Sequence, residues 1–346
     1  MLLFHNDYNE VCHPLILERM QNSAACQMPG YGEDDICRNA AGMIRKECGN
    51  DNLAVHFLVG GTQTNLTVIA SALRPHQAVI GATSAHINVH ETGAIEATGH
   101  KVIILPSVDG KIHVEEIDRV VKSQSLAMDA EHIAQPKMVY ISSPTELGTI
   151  YSLQELEAIS SYCKEHRLYL FVDGARMGYG LAAQDNDVTL ADFARLCDVF
   201  YIGGTKVGAM FGEAVVISNP IIAEDFRYLM KQRGGMLAKG WLLGLQFQVL
   251  FEDNLYYKIS EHADRLADKI RDTLKKLGYP LFVPGTTNQI FVTLPNCLLE
   301  RLSGEFTFAH WEEVDDTHTA VRFCTSWATK PESVDALCDA LVKYSK

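Results

Sequence analysis

Between residues 53 and 218 the chain alternates between short apolar, β-rich runs and stretches of helical periodicity, and this alternation restricts the fold more than any other feature. LAVHFLV (53–59) precedes TQTNLTVIASAL, and QAVIGA (77–82) precedes HETGAIEAT. KVIILP (101–106) leads to VEEIDRVVKS, and KMVYISS (137–143) leads to LQELEAISSYCKEH. LYLFVD (168–173) is followed by GARMGYGLAA, then by CDVFYIGG (197–204) and AVVIS (214–218). Such a pattern predicts an α/β/α layer sandwich around a mostly parallel sheet. The short link between the last two runs predicts at least one antiparallel pairing. From about residue 220 the texture changes to long helical stretches, EDFRYLMKQ and then GWLLGLQFQVLFEDNLYYKISEHADRLADKIRDTLKKL. The second carries the chain into a smaller C-terminal α/β unit ending in the helix PESVDALCDALVKYS. We divide the chain into a large three-layer domain, 15–245, and a small domain, 246–346, with residues 1–14 packing near the small one.

With 346 residues, 47% of them hydrophobic, the chain has enough apolar material for one large core and a second smaller one. A net charge of −13 argues against nucleic acid or an anionic membrane surface as partner. It leaves room for a local cationic pocket. Nine cysteines without a C-x-x-C pair read as reduced thiols of a cytoplasmic protein. No uninterrupted apolar stretch approaches the ~18 residues of a membrane span, and the start, MLLFHNDYNE, is too weakly apolar for a signal peptide.

The segment YIGGTKVGAMFGEAVV (201–216) places Lys206 between apolar runs and among Gly203, Gly204 and Gly208. Burying an ammonium is costly, so a lysine here calls for a chemical reason. The glycines read as clearing space beside it for a bulky aldehyde. In open parallel sheets, ligands bind beyond the carboxyl ends of the strands. Gly60, Gly61, Thr62 and Gln63, His86, Asp173 and Lys206 all follow or close successive strands. Taken singly, the aspartate reads as a loop cap and the histidine as a packing residue. Together they match the requirements of pyridoxal phosphate. That cofactor needs a lysine amine for its Schiff base, an acid beside the pyridine nitrogen (Asp173), open backbone N–H groups at a helix start for the phosphate (GGTQ), and a flat side chain over the ring (His86).

The motifs in order resemble those of the pyridoxal-phosphate-dependent threonine aldolases, in the β-eliminating lyase group of the aspartate-aminotransferase-like fold (fold type I). These are FVDGARMGYGLA, the lysine loop above, HINVHETGAIEATG, GGTQTNL, YGEDD and VRFCTSW, and they span nearly the whole chain. The resemblance implies Lys206 as the cofactor-bonding lysine, Asp173 as the partner of the ring nitrogen, His86 stacked on the ring, and Gly61, Thr62 and Gln63 around the phosphate. It implies Arg176 near the phenolic oxygen and the substrate carboxylate, with Arg322 gripping that carboxylate through a guanidinium fork. Asn6 stands where many relatives carry a carboxylate-binding serine. His132 matches a second histidine that engages the substrate hydroxyl; either it or His86 would serve as base. Tyr31, and Lys231 and Lys239, resemble residues that reach a neighbouring subunit's site, which implies a homo-oligomer, a dimer or a homotetrameric dimer of dimers. A solvated helix face is the other reading of the two lysines.

SSPTELGT departs from the Asn-Thr-His segment of other members and resembles a Thr-Glu-Val-Gly subgroup, and His90 occupies a position that varies between subgroups. The implied reaction is a retro-aldol cleavage of a small amino-acid substrate, L-threonine or L-allo-threonine giving glycine and acetaldehyde. β-Elimination, racemisation or transamination on the same scaffold is the alternative. A nucleotide-binding reading of GYGLAA (178–183) fails because the motif starts several residues after its strand and Asp198 opens the next strand instead of ending it. GGTK lacks the earlier glycine of a phosphate-binding P-loop, and HETGA breaks the H-E-x-x-H zinc pattern at Ala94, so no metal is expected.

Overall fold

The computed structural model of the chain describes residues 1–345. Seven strands form the central sheet: β2 (Ala54–Leu58), β3 (Gln77–Ala82), β4 (Lys101–Leu105), β5 (Gln135–Ser142), β6 (Tyr169–Asp173), β7 (Val199–Gly203) and β8 (Glu213–Ile217). A two-residue β1 (Leu2–Leu3) precedes them. The sheet order is β2-β8-β7-β6-β5-β3-β4. β3 through β7 pair in parallel, and β8 alone runs against its neighbours β7 and β2. β3, β7 and β8 are buried along their whole length, whereas the edge strand β4 alternates with solvent. A strand covered on both faces reads as an unbroken apolar run, which is why the sequence reveals these elements so directly.

The second sheet is antiparallel, in the order β12-β13-β10-β9, built from β9 (Leu281–Val283), β10 (Gln289–Pro295), β12 (Ala309–Asp315) and β13 (His318–Cys324). β1 pairs in parallel with β11 (Phe306–Thr307), and Phe4 is buried with Leu266, Ile270, Val292, Phe323 and Leu337 in the second core. The helix Trp241–Phe251 is packed into the first core, which extends along the next helix to Ala263; the second core begins at Leu266. The two cores therefore meet inside one helix, Leu255–Lys276, beyond the division at 245 read from the sequence.

Two stretches read as helical are broken. HETGAIEAT forms turns and a short 3₁₀ segment, Glu96–Thr98, because Thr92 and Gly93 take left-handed backbone angles, φ 53° and 71°. The long C-terminal stretch is interrupted where Asp253 and Asn254 adopt φ of 51° and 57°, which turns the chain between two helices.

Tyr256, fully buried on the long helix, ties it to the central sheet. Its hydroxyl donates to the Gly203 carbonyl at the end of β7 (2.9 Å) and accepts the Gly178 N–H (3.0 Å). Removing that oxygen strands two buried backbone groups. Tyr256→Phe should therefore lower stability by about 2 kcal/mol, read as a shift of the urea midpoint at unchanged slope.

Candidate active site

The carboxyl ends of β2, β3, β5, β6 and β7 converge on one cavity of about 530 Å³. Val59 to Thr62 come from the loop after β2, His86 and His90 from that after β3, and Ser142 to Glu146 from the end of β5. Asp173 and Arg176 follow β6; Tyr201, Thr205 and Lys206 come from β7 and its loop. Arg322 and Trp311 reach in from the small domain, and Tyr8 from the N-terminal segment. The parallel strands make this convergence unavoidable, since each releases its loop on the same edge.

Asp173, the last residue of β6, is buried. Its carboxylate accepts the Tyr140 hydroxyl, an Asn65 Nδ2–H (3.1 Å) and the Ala175 backbone N–H (2.9 Å). Burial alone would raise this carboxyl. The nearby His86 and the Tyr140 hydrogen bond outweigh that and keep it below the usual range, so it stays ionised. Burial and Asp173 together push the Tyr140 phenol far up, so it remains a donor. His86 hydrogen-bonds through Nδ1 to Oε1 of the buried Glu91 (2.8 Å), which also accepts from Asn65 (2.7 Å). One bonded network thus joins the histidine to the aspartate.

Lys206 faces the same space. Burial, and next the Arg176 guanidinium, depress its amine; Asp7, Asp173 and Glu213 pull the other way. A depressed amine is the state in which lysine is a nucleophile. The glycines around it serve the backbone, which corrects the reading that they clear space for an aldehyde. A Cβ on Gly203 would stand 2.3 Å from the Ala175 carbonyl, and Gly208 needs its φ of 87° to turn the loop.

The helix Gly61–Ala72 begins at the cavity with no side-chain cap on Gly60. By contrast Ser152 and Thr189 cap their own helices with side-chain oxygens. The open N–H groups of the first turn suit a phosphate. Thr62 is exposed there, and Gly61 lies against the Tyr201 hydroxyl, which a Cβ would meet at 3.2 Å. Gln63 does not turn its side chain to the cavity: it accepts the Val59 N–H (3.3 Å) and donates to the Arg233 carbonyl (3.1 Å), pinning the loop.

The two arginines are engaged differently. Arg176 spends Nε and Nη2 on Asp7 (2.6 and 2.9 Å), whose Oδ2 also accepts from Asn288 (2.8 Å). A two-point grip of Arg176 on a substrate carboxylate is therefore taken by the protein's own carboxylate. Burial would raise Asp7, but Arg176 and then Lys206 hold it at about 2. Arg322 donates to the Gln289 side chain (3.1 Å) and the His5 carbonyl (3.0 Å), while its buried Nε has no partner among the described residues. That unsatisfied donor marks Arg322 as the arginine with capacity for a ligand.

Other expected residues lie elsewhere. His132 sits in a short 3₁₀ turn before β5, its side chain 79% exposed, with only Asp129 near it at 3.9 Å. It is at the amino end of β5, a strand length of roughly 25 Å from the cavity edge of its own subunit. Asn6 accepts the Tyr8 N–H at 3.0 Å, in a local turn. Tyr31 projects from the surface at φ 62° with Lys231 Nζ 4.8 Å from its ring centroid, and Lys239 is exposed. Sequence reading missed Asp7, Tyr140, Asn65, Glu146 and Glu213. Glu146, raised by burial, accepts the His86 N–H (2.9 Å) and the Ser142 hydroxyl (2.6 Å).

Residues 14–296 match the profile of the beta-eliminating lyase family. A low specificity L-threonine aldolase of a Pseudomonas species is 30% identical over 340 residues, 96% of this chain and 94% of that protein. The protein of the same description from Pseudomonas aeruginosa is 29% identical with the same coverage. A solved structure of Leishmania major threonine aldolase superposes with a TM-score of 0.97 at 45% identity, covering the whole of both chains. The chain belongs to the threonine aldolases of the beta-eliminating lyase family. Aspartate aminotransferase of Thermus thermophilus shares the fold alone, with a TM-score of 0.74 at 15% identity over 99% of this chain and 91% of that one. For a threonine aldolase, the residues in place fit pyridoxal phosphate: an open helix start, an ionised acid, a depressed lysine amine and an unsatisfied arginine donor.

Two outcomes test this assignment of residues. Asp7→Asn should cost about 3 kcal/mol by leaving a buried guanidinium without its counter-charge. Because Asp7 is depressed in the folded state, the stability gap between the two proteins should be complete above about pH 4 and shrink as pH falls toward 2, read by urea titration. His132→Ala should leave turnover within about twofold of wild type, as expected for an exposed side chain without contacts to the site.

Proposed function

We propose that this threonine aldolase uses pyridoxal phosphate held at Lys206 to cleave β-hydroxy-α-amino acids, L-threonine and L-allo-threonine among them, to glycine and an aldehyde. The observation that carries the reading is the meeting of a depressed lysine amine and an ionised, triply hydrogen-bonded aspartate in one cavity, in a chain that aligns end to end with threonine aldolases.

The bound cofactor supplies an electron-accepting ring for the pair released when Cα–Cβ breaks. This chain's residues do the remaining work. Lys206 Nζ offers the nucleophilic amine. The Asp173 carboxylate keeps a proton on the ring nitrogen by stabilising its positive charge. The first-turn N–H groups of Gly61 to Gln63 bind the phosphate without adding bulk. Arg322 Nε receives the substrate carboxylate. At His86, Glu91 occupies Nδ1 and leaves Nε2 to take the β-hydroxyl proton as the bond breaks. Glu91 also fixes the ring's direction, so the imidazole stays in place through the reaction.

The assembly belongs to the same reading. Lys231 lies over the Tyr31 ring and Lys239 is exposed; in this reading the three would reach a neighbouring subunit's site in a homo-oligomer, a dimer or a dimer of dimers. Cytoplasmic residence suits nine cysteines that are all free. No helix among the described residues is long and apolar enough to cross a membrane.

Adding pyridoxal phosphate should turn the protein yellow. Borohydride should bleach it and leave the modification on the Lys206 peptide, detected by mass spectrometry. Incubation with L-threonine should release acetaldehyde and glycine in equal amounts. Lys206→Ala should abolish turnover, and His86→Ala should slow it by about a hundredfold or more. A protein that takes up the cofactor but yields pyruvate, keto acid or the other enantiomer instead would belong to a different reaction class.

A further inference from the structure

β12 is an outer strand of the small sheet and is exposed along most of its length; only Ala309 and Trp311 are half-buried. A tryptophan on such a strand needs cover, because its ring is large and mostly apolar. The ladder between β12 and β13 shifts register between His310 and Glu312, so Trp311 has no partner opposite it on β13. A bulge of this kind bends the strand and re-aims the side chain it carries, and bulges gather beside functional sites. The indole stands edge-on to the Phe291 ring, with centroids 4.9 Å apart and planes at 80°. Phe291 is buried on β10 and pairs directly with Arg322 of β13. Opposed residues of an antiparallel pair point to the same face. The indole therefore shares a sheet face with the Arg322 guanidinium, and both line the active-site cavity.

The ring is braced from behind. Phe291 packs with Val283 and with Leu147 of the loop after β5, in a cluster that spans both domains. Leu147 follows Glu146, whose carboxylate accepts the His86 N–H (2.9 Å). Among the described residues the small domain gives the cavity two side chains, Arg322 and Trp311. One is a cation with an unsatisfied donor, the other a flat apolar surface. The guanidinium is held by Gln289 and the His5 carbonyl, so the indole is not what positions it.

An amino acid held by its carboxylate at Arg322 brings its carbon chain within a few bonds of that guanidinium, beside the neighbouring ring. We propose that Trp311 is a specificity-determining residue for the group on the substrate's β-carbon. Its ring is the apolar wall on which that group rests, and it favours an aromatic or bulky apolar substituent over a methyl. The inference rests on the proposed function, with Arg322 as the carboxylate site. A phenyl group against the indole buries much of its surface and gains an aromatic pair, whereas a methyl touches only a few ring atoms. Discrimination of this origin appears as a difference in kcat/KM between substrates.

The test compares wild type, Trp311→Phe, Trp311→Leu and Trp311→Ala, each loaded with pyridoxal phosphate, on L-threonine and L-phenylserine. Trp311→Ala should lose about tenfold in kcat/KM with phenylserine and stay within about twofold with threonine. Trp311→Phe should keep most of the phenylserine rate, and Trp311→Leu should fall between. Binding is read separately by titrating the visible absorbance of each loaded protein with L-phenylalanine and L-alanine, which lack the hydroxyl and undergo no retro-aldol cleavage. The alanine variant should weaken the binding of phenylalanine alone. Equal losses with both substrates would overturn the inference and leave Trp311 as packing for Phe291. A gain with phenylserine, or a wild type that cleaves threonine and not phenylserine, would overturn it as well, since the ring would then exclude bulk. Should Trp311→Ala fail to fold, an unchanged phenylserine-to-threonine ratio in Trp311→Leu would overturn it equally. A chain that stays colourless with pyridoxal phosphate would remove the proposed function and this inference together. A yellow chain that cleaves threonine, with variants that lose both substrates alike, would remove the inference alone.

Discussion

Everything in the site depends on keeping a lysine amine inside the protein. A lone ammonium taken from water into such a place would carry a desolvation penalty of several kcal/mol. The chain meets this with alternating charges: Asp7 against Arg176, Arg176 acting on Lys206, and Asp7, Asp173 and Glu213 pulling the amine the other way. None of these groups is in its position for its own sake. Take away Asp7 and Arg176 turns from a screened neighbour into a bare positive charge beside the lysine. Take away the charge of His86 and the Tyr140 donor and burial raises the Asp173 carboxyl unopposed by its two strongest supports.

The sheet supplies the geometry that this arrangement needs. Five strands release their loops on one edge, and the loop from β7 leads straight into the reversed β8, which starts there, so five short segments reach one space. Lys206 sits in a loop fastened at both ends by neighbouring strands. Its main chain is also held by Tyr179, whose hydroxyl donates to the Lys206 carbonyl at 2.6 Å. Such fastening lowers the conformational freedom that a reacting side chain would otherwise lose.

The strands and the residues that end them were legible because burial on both faces leaves a plain signature, an apolar run stopped by glycine or a charge. Lys206, Asp173 and His86 stand at such stops, and all three enter the cavity. What was not legible follows from the same logic. Tyr140 lies inside an apolar run and Asn65 inside a helix, where neither breaks the pattern. Glu213 looks like the polar start of a strand, since its direction shows only once the sheet order is known. Asp7 lies 169 residues before Arg176, and nothing local announces their pairing. The direction of the Gln63 side chain and the place of His132 are hidden for a simpler reason: a residue type near a strand end does not say which way the side chain turns, or which end of the strand it adjoins. The helices lost at Thr92 and Asp253 failed through left-handed backbone angles, shared with Gly93 in the first case and with Asn254, where no glycine signals the turn, in the second.

The N-terminal segment has one more effect. Phe4 is embedded in the second core, the His5 carbonyl holds Arg322, and the Asp7 carboxylate holds Arg176. The two guanidinium groups, one on β13 and one on the turn after β6, are thereby gauged against each other by two peptide links. A fully extended residue spans at most about 3.6 Å, so inserting a single residue there would reset the spacing by more than the width of a carboxylate. The first few residues of the chain act as a ruler for the reach of the substrate pocket.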